Sequence, residues 1–216
     1  MSKLKEDVLI AKQALLCHGV VGFPTETVMG LGVIYNDEIA YHKLNKVKER
    51  PEDKPYTLML ASKDDIAKYG KINEATQRVI DAFIPGSITI LVPVKEGMVP
   101  DYVTHNTNVI GMRVPTNKEA LALLNEVGMP MLVPSANKSG KEPAKTSQQV
   151  NNIFGNEIDF VVSGRAKGEV PSTIVDLTGD KPGLIRKGPI SIKNIEEAYF
   201  GKYSVNLHTF NKVNKN

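Results

Sequence analysis

Lys48-x-Arg50 and Ser135-x-Asn137, with a Pro24-Thr25-Glu26-Thr27 turn running into Gly30-Leu31-Gly32, are the residues whose types and spacing could do chemistry. They gather fixed cations, hydroxyls, an amide and flexible backbone, without an obvious nucleophile or metal cluster. That inventory suits a polyphosphate bound beside a small polar substrate, and adenylate chemistry better than hydrolysis by a triad. Arginine offers a planar fork to phosphate oxygens and lysine a mobile point charge. Lys48, Arg50 and Lys54 therefore form a candidate phosphate cluster around Pro51 and Pro55, although cations at a helix C-terminus are also favourable with its dipole. Thr25 and Thr27 could donate to a carboxylate, accept from an ammonium group, or satisfy their own loop. Gly30 and Gly32 would let the backbone approach a ligand closely.

Arg113 lies between Met112 and Val114 in a stretch that reads as buried strand. A charge there must be paired or hold an anion, and the sequence leaves both readings open. Arg186 raises the same question more weakly. Ser172-Thr173, after Pro171, is either a turn or a ligand loop. Other chemistries lack their parts. His18, His42, His105 and His208 show no zinc spacing, the single cysteine Cys17 makes no thiolate cluster, and no G-x-S-x-G or P-loop is present.

The elements that must position these residues alternate between helix and strand. Leu4, Val8, Ala11, Leu15 and Leu16 recur at helical spacing, with Gly19 as a stop. Val20–Phe23 reads as a short strand ended by Pro24. Asp37–Glu49 reads as a helix with Ile39, Leu44 and Val47 on its apolar side, and Pro51 pushes Arg50 to the helix end or beyond. Strands are expected over 57–61, 87–94, 109–114, 131–134, 158–162, 173–177 and 184–186. Helices are expected over 62–69, 73–84, 147–154 and 192–200, and one behind a Thr116-x-x-Glu119 capping box. Ser163–Pro171 is a long-loop candidate and Lys212–Asn216 a polar tail.

Bulk properties fit one soluble domain. The 216 residues suffice for one substantial core, with 41% hydrophobic and 24% charged residues. A net charge of +3 permits nucleotide or nucleic-acid binding without requiring either. No apolar run approaches the ~20 residues of a membrane helix. Glu6 and Asp7 argue against a signal peptide, and one cysteine excludes an intramolecular disulfide, so a cytoplasmic location is expected.

Seven blocks, in order, resemble the YrdC/Sua5 family of L-threonylcarbamoyladenylate synthases. They are Phe23–Gly32, Lys48–Pro51 with Lys54-Pro55, Pro85–Thr89, Met112–Pro115, Pro134–Gly140, Pro171–Asp176 and Ile185–Gly188. The similarity runs roughly from Leu9 to Ala198. It implies an α/β fold: a twisted mixed sheet flanked by helices, a YrdC-like single domain with a concave basic groove. The expected organisation is a catalytic domain over residues 1–200 and a polar, partly flexible extension over 201–216, without the extra C-terminal domain of longer Sua5 proteins. The implied reaction joins L-threonine, bicarbonate and ATP into threonylcarbamoyl-adenylate and pyrophosphate. That product feeds N6-threonylcarbamoyladenosine at position 37 of tRNA through a downstream threonylcarbamoyl-transferase complex.

Carried over residue by residue, Thr27, Arg113, Ser135 and Ser172 would hold threonine. Lys48, Arg50, Lys54, Asn137 and Arg186 would hold ATP, with Lys48 and Arg50 as the catalytic pair. Mg2+ would travel with ATP, and no organic cofactor or membrane is implied. Three departures stand out: Met29 where many members carry Tyr, Ser87 where Pro is usual, and Met59 where some members carry a polar residue. The rival readings are a non-catalytic RNA-binding module and a carbamoyl-adenylate site serving another acceptor.

Overall fold

Apolar residues at helical spacing close one face of the first element, α1 (Lys3–Leu16), whose Val8, Ala11 and Leu15 are buried. The computed structural model describes residues 2–50 and 55–203. After α1 come β1 (Val21–Phe23), β2 (Gly30–Ile34), α2 (Glu38–Lys48), β3 (Thr57–Met59), α3 (Ile66–Tyr69), α4 (Glu74–Phe83) and β4 (Ile88–Pro93). They are followed by α5 (Asp101–Thr104), β5 (Val109–Arg113), α6 (Lys118–Val127), β6 (Met131–Leu132), α7 (Ser147–Phe154), β7 (Phe160–Val161), β8 (Thr173–Asp176), β9 (Gly183–Arg186) and α8 (Ile192–Tyr199). A 3-10 turn over Lys63–Asp65 leads into α3. The segment 163–171 is a loop, as expected.

The strands form one mixed sheet in the order β7-β1-β2-β6-β3-β5-β4-β8-β9. β7–β1, β3–β5 and β4–β8 are parallel and the other neighbours antiparallel. Alternation of side chains divides the core between the two faces. Val21, Phe23, Met131 and Val133 pack with Val8, Ala11 and Leu15 of α1 and Leu123, Leu124 and Val127 of α6. Leu31, Val33, Leu58, Ile90 and Met112 pack with Leu44 of α2, Ile80 of α4, Val150 of α7 and Ile195 of α8. Among the described residues no helix is long and apolar enough to cross a membrane.

Four local readings are corrected, and one short element was missed. Gly30-Leu31-Gly32 is not a flexible loop but the start of β2, every residue of which is buried. Its glycines answer to packing: a Cβ on Gly32 would lie 2.8 Å from the Phe23 ring, and one on Gly30 would lie 2.8 Å from Val133. Ile39 is 62% exposed, because α2 turns Ala40, Tyr41, Leu44 and Val47 inward instead. His18, not Gly19, takes the left-handed conformation after α1, at φ 60°, and its Nδ1 lies 2.8 Å from Asp37 Oδ2. Gly19 is required for space, since a Cβ would meet the Ala14 carbonyl oxygen at 2.4 Å. The cap of α6 is Asn117, whose Oδ1 accepts from Ala120 N, whereas Thr116 N donates to Glu26. The short α5 had no signal strong enough to separate it from the surrounding turns.

Candidate functional site

The sheet gathers one cleft from seven separate segments. Thr57 and Met59 come from β3, Thr89 from β4, Arg113 from β5, Ile174 from β8 and Arg186 from β9. The intervening loops add Thr25, Thr27, Ser135 and Ser172, while Arg50 and Tyr56 close one side. The cleft is open to solvent. Of the residues anticipated from sequence, Thr27, Arg50, Arg113, Ser135, Ser172 and Arg186 meet here. Lys48 and Asn137 lie behind the lining rather than in it. Lys54 lies outside the described residues.

Of the two readings left open for Arg113, the ion pair is present, with Glu26 as its partner, and the guanidinium also lines the cleft. It is 7% exposed at the end of β5. Its Nη2 donates to Glu26 Oε1 at 2.6 Å and to Thr27 Oγ1 at 2.8 Å. The other Glu26 oxygen accepts from Thr116 N at 3.2 Å. The guanidinium is thus held by a buried carboxylate while still lining the cleft. Glu26 was not singled out from sequence. The signal that could have found it was Arg113 itself, a buried strand cation that needs a carboxylate.

Across the cleft, Arg186 Nε donates to the Ser172 carbonyl and its Nη2 to Ser172 Oγ, both at 3.0 Å. Ser172 Oγ also lies 3.0 Å from Thr89 Oγ1. Partial burial of the guanidinium, and then the like charge of Arg113, push Arg186 below the ordinary arginine pKa. Arg50 donates to the Pro55 carbonyl at 2.9 Å, and its guanidinium lies 4.5 Å from the centre of the Tyr56 ring. Tyr56 is fixed in turn by its hydroxyl, which donates to Asn45 Oδ1 at 2.6 Å.

The loop that carries Ser135 is built on a buried cation. Lys48, 2% exposed at the end of α2, donates to the carbonyls of Ser135 and Asn137, each at 2.6 Å. Burial, then the positive neighbours Arg50 and Lys138, push its pKa down to about 7. The two carbonyls work in the opposite direction by solvating the ammonium. Asn137 donates its amide hydrogens to the Lys138 and Lys141 carbonyls, and its Oδ1 accepts from Ser135 Oγ at 2.6 Å. The lysine and asparagine shape this loop, and Ser135 is what the loop shows to the cleft.

Met29 and Met59 both line the cleft and are almost wholly buried, so the two departures from the family pattern form apolar wall. At Ser87 the contact seen is made by the backbone: its carbonyl accepts from Thr173 N at 3.0 Å, and a proline would supply the same acceptor.

Gly188 is a packing hinge for the site. A Cβ there would fall 2.3 Å from Thr173 N and 2.6 Å from the Ser172 carbonyl carbon. Backbone on both sides cannot yield as a flexible side chain would. Gly188→Ala is expected to displace Ser172 from Arg186 and to cost about 1–3 kcal/mol as an overpacked core substitution does. A denaturant melt and a ligand-binding titration check this together; unchanged values in both would show that the segment after β9 moves freely.

Comparison with known proteins shows the family and the fold. Residues 13–188 match the Sua5/YciO/YrdC family model, described as telomere recombination. A threonylcarbamoyl-AMP synthase of Pyrococcus abyssi is 34% identical over 180 residues, 82% of this chain and 53% of that protein. One of Bacillus subtilis is 34% identical over 194 residues, 88% of this chain and 56% of that protein. The chain therefore spans about half the length of these curated relatives. The crystal structure of P. abyssi Sua5 complexed with L-threonine superposes with a TM-score of 0.85 at 32% identity, covering 94% of this chain and 59% of that one.

Proposed function

The chain belongs to the Sua5/YciO/YrdC family, and on that premise we propose that it forms threonylcarbamoyl-AMP and pyrophosphate from L-threonine, bicarbonate and ATP. The observation that carries the reading is the cleft itself. Three arginines from separate segments converge with Thr27, Ser135 and Ser172, and among the described residues no histidine, cysteine or carboxylate lines it. Such a site aligns and neutralises; it does not supply a protein nucleophile of the triad kind.

The chemistry then comes from the substrates. The threonine amine adds to CO2 derived from bicarbonate and loses a proton, giving a carbamate. A carbamate oxygen attacks the α-phosphorus of ATP, and pyrophosphate leaves with the electron pair of the broken P–O bond. The protein contributes alignment and preorganised positive charge. Arg113, Thr27, Ser135 and Ser172 would hold threonine. Arg50 and Arg186 would meet the phosphates, with Lys54 as a further candidate from sequence. Lys48 and Asn137 would act by holding the Ser135 loop.

Among the described residues no three histidine, cysteine, aspartate or glutamate side chains converge as a metal site. Magnesium would enter as a companion of the ATP phosphates, whose oxygens it prefers. The product would pass in the cytoplasm to a threonylcarbamoyl-transferase complex that acts on tRNA.

The test is pyrophosphate release. It is expected from ATP only when L-threonine and bicarbonate are both supplied, with the adenylate found by labelled bicarbonate. Equal release without threonine would indicate a plain ATPase. Tight tRNA binding without turnover would favour the RNA-binding reading. Within this scheme Arg50→Ala removes one charge-assisted phosphate contact and is expected to weaken binding of an ATP analogue roughly tenfold or more. Its melting temperature should fall only modestly, since the side chain gives up an exposed hydrogen bond to the Pro55 carbonyl and a stack on Tyr56. Unchanged analogue affinity, measured calorimetrically, would remove Arg50 from the phosphate site.

A further inference from the structure

Resting on the amino-acid site just proposed, we infer that Thr25 is a positioning residue that fixes the direction of the Thr27 hydroxyl proton, so that Thr27 accepts a hydrogen bond from the ligand and donates none. The argument is one of valence. A threonine hydroxyl has one proton and two lone pairs. Thr25 Oγ1 has three partners: the Val28 carbonyl at 2.7 Å, Thr27 N at 3.1 Å and Thr27 Oγ1 at 2.9 Å. A carbonyl only accepts, so the Thr25 proton goes to Val28. The Thr27 amide only donates and fills one lone pair. The third contact can then be made in one direction alone, with Thr27 as donor and Thr25 as acceptor.

Thr27 has therefore committed its only proton. One of its lone pairs receives Arg113 Nη2 at 2.8 Å, and Glu26, 2.6 Å from the same nitrogen, holds that guanidinium in place. A single lone pair remains. Thr27 is 2% exposed and lines the cleft. The group placed against it must carry an N–H or O–H. A carboxylate or phosphate oxygen there would face lone pair against lone pair. Sequence alone left a threonine hydroxyl free to serve either end of an amino acid; the hydrogen-bond chain assigns Thr27 to the nitrogen end. Ser135 points the same way, because its proton is committed to Asn137 Oδ1.

The discriminating pair of ligands is L-threonine and (R)-3-hydroxybutanoate, the same hydroxy acid without the amine. Calorimetric titration of the wild-type protein is expected to favour threonine by about tenfold or more, the scale of one hydrogen bond to a charged group. Thr25→Val frees the Thr27 proton and should shrink that ratio several-fold, while Thr25→Ser restores it. In a Thr27→Val background the Thr25→Val substitution should no longer change the ratio; general damage to the loop would persist there.

If Thr25→Val does not fold, Thr27→Val alone carries the test, with threonine affinity falling and that for 3-hydroxybutanoate staying near wild type. Equal weakening of both ligands by Thr27→Val, or a ratio unmoved by a folded Thr25→Val, would overturn the inference and leave the threonine reading standing. Wild-type protein that binds neither ligand would overturn both.

Discussion

Arg113→Ala is expected to lose about tenfold or more in threonine use, because the charge-assisted contact proposed between the guanidinium and the amino acid would disappear with it. It should also destabilise the fold. Glu26 would remain, 9% exposed at its side chain, without the cation it faces at 2.6 Å. Breaking one half of a buried pair costs about 3–5 kcal/mol, which for a chain of this size lowers the melting temperature on the order of 10 °C. Thr27 would also lose a donor. The two effects separate by experiment. Arg113→Met combined with Glu26→Leu replaces the pair by apolar groups and should recover most of the stability while leaving threonine use abolished. Recovery of activity in that double variant, by the pyrophosphate assay, would show that Arg113 is only a structural cation.

Lys48→Met should lose tenfold or more in activity although the side chain lies outside the cleft lining, since two carbonyls of the Ser135 loop lose an ammonium at 2.6 Å. Its pH behaviour is a second, independent readout. The folded-state pKa is pushed down to about 7 from an ordinary 10.5. Below about 7 the lysine is charged in both states and carries its full desolvation penalty. Between about 7 and 10.5 the unfolded chain binds a proton that the folded protein does not, so wild-type stability must rise with pH across that window. Relative to Lys48→Met the gain is at most about 1.4 kcal/mol per pH unit, flattening above 10.5. Urea melts of both proteins from pH 6 to 10 measure it. A stability difference that stays constant with pH would mean the two carbonyls hold the ammonium charged throughout.

The two predictions concern residues with opposite fates in the structure. Lys48 and Arg50 are two apart in sequence and look equivalent as phosphate cations. In the fold, α2 ends at Lys48 and the chain leaves it through a left-handed Glu49 at φ 51°. The lysine is therefore turned under the loop, while Arg50 is released into the cleft beside Tyr56. A charge at a helix end does not announce which of these it will be, because the local pattern is the same for both.

What the sequence determined by itself was the alternation of elements and the set of segments that carry polar groups at strand ends. Apolar periodicity marked α1 and a β-rich apolar run marked β4, because burial on one face imposes a pattern that local composition records. The seven blocks gave the family and most of the cleft. What only the tertiary structure decided was pairing. That Gly32 serves a neighbouring strand depended on Phe23 and Met131 occupying the space beside it, whereas Gly30 both packs on Val133 and lines the cleft. Whether Thr116 or Asn117 capped α6 depended on a carboxylate 90 residues away drawing off the Thr116 amide. The partner of Arg113 and the burial of Lys48 are likewise properties of contacts between distant segments. A hydrogen bond or an ion pair is set by which groups the sheet brings within 3 Å, and no window of sequence contains both of them.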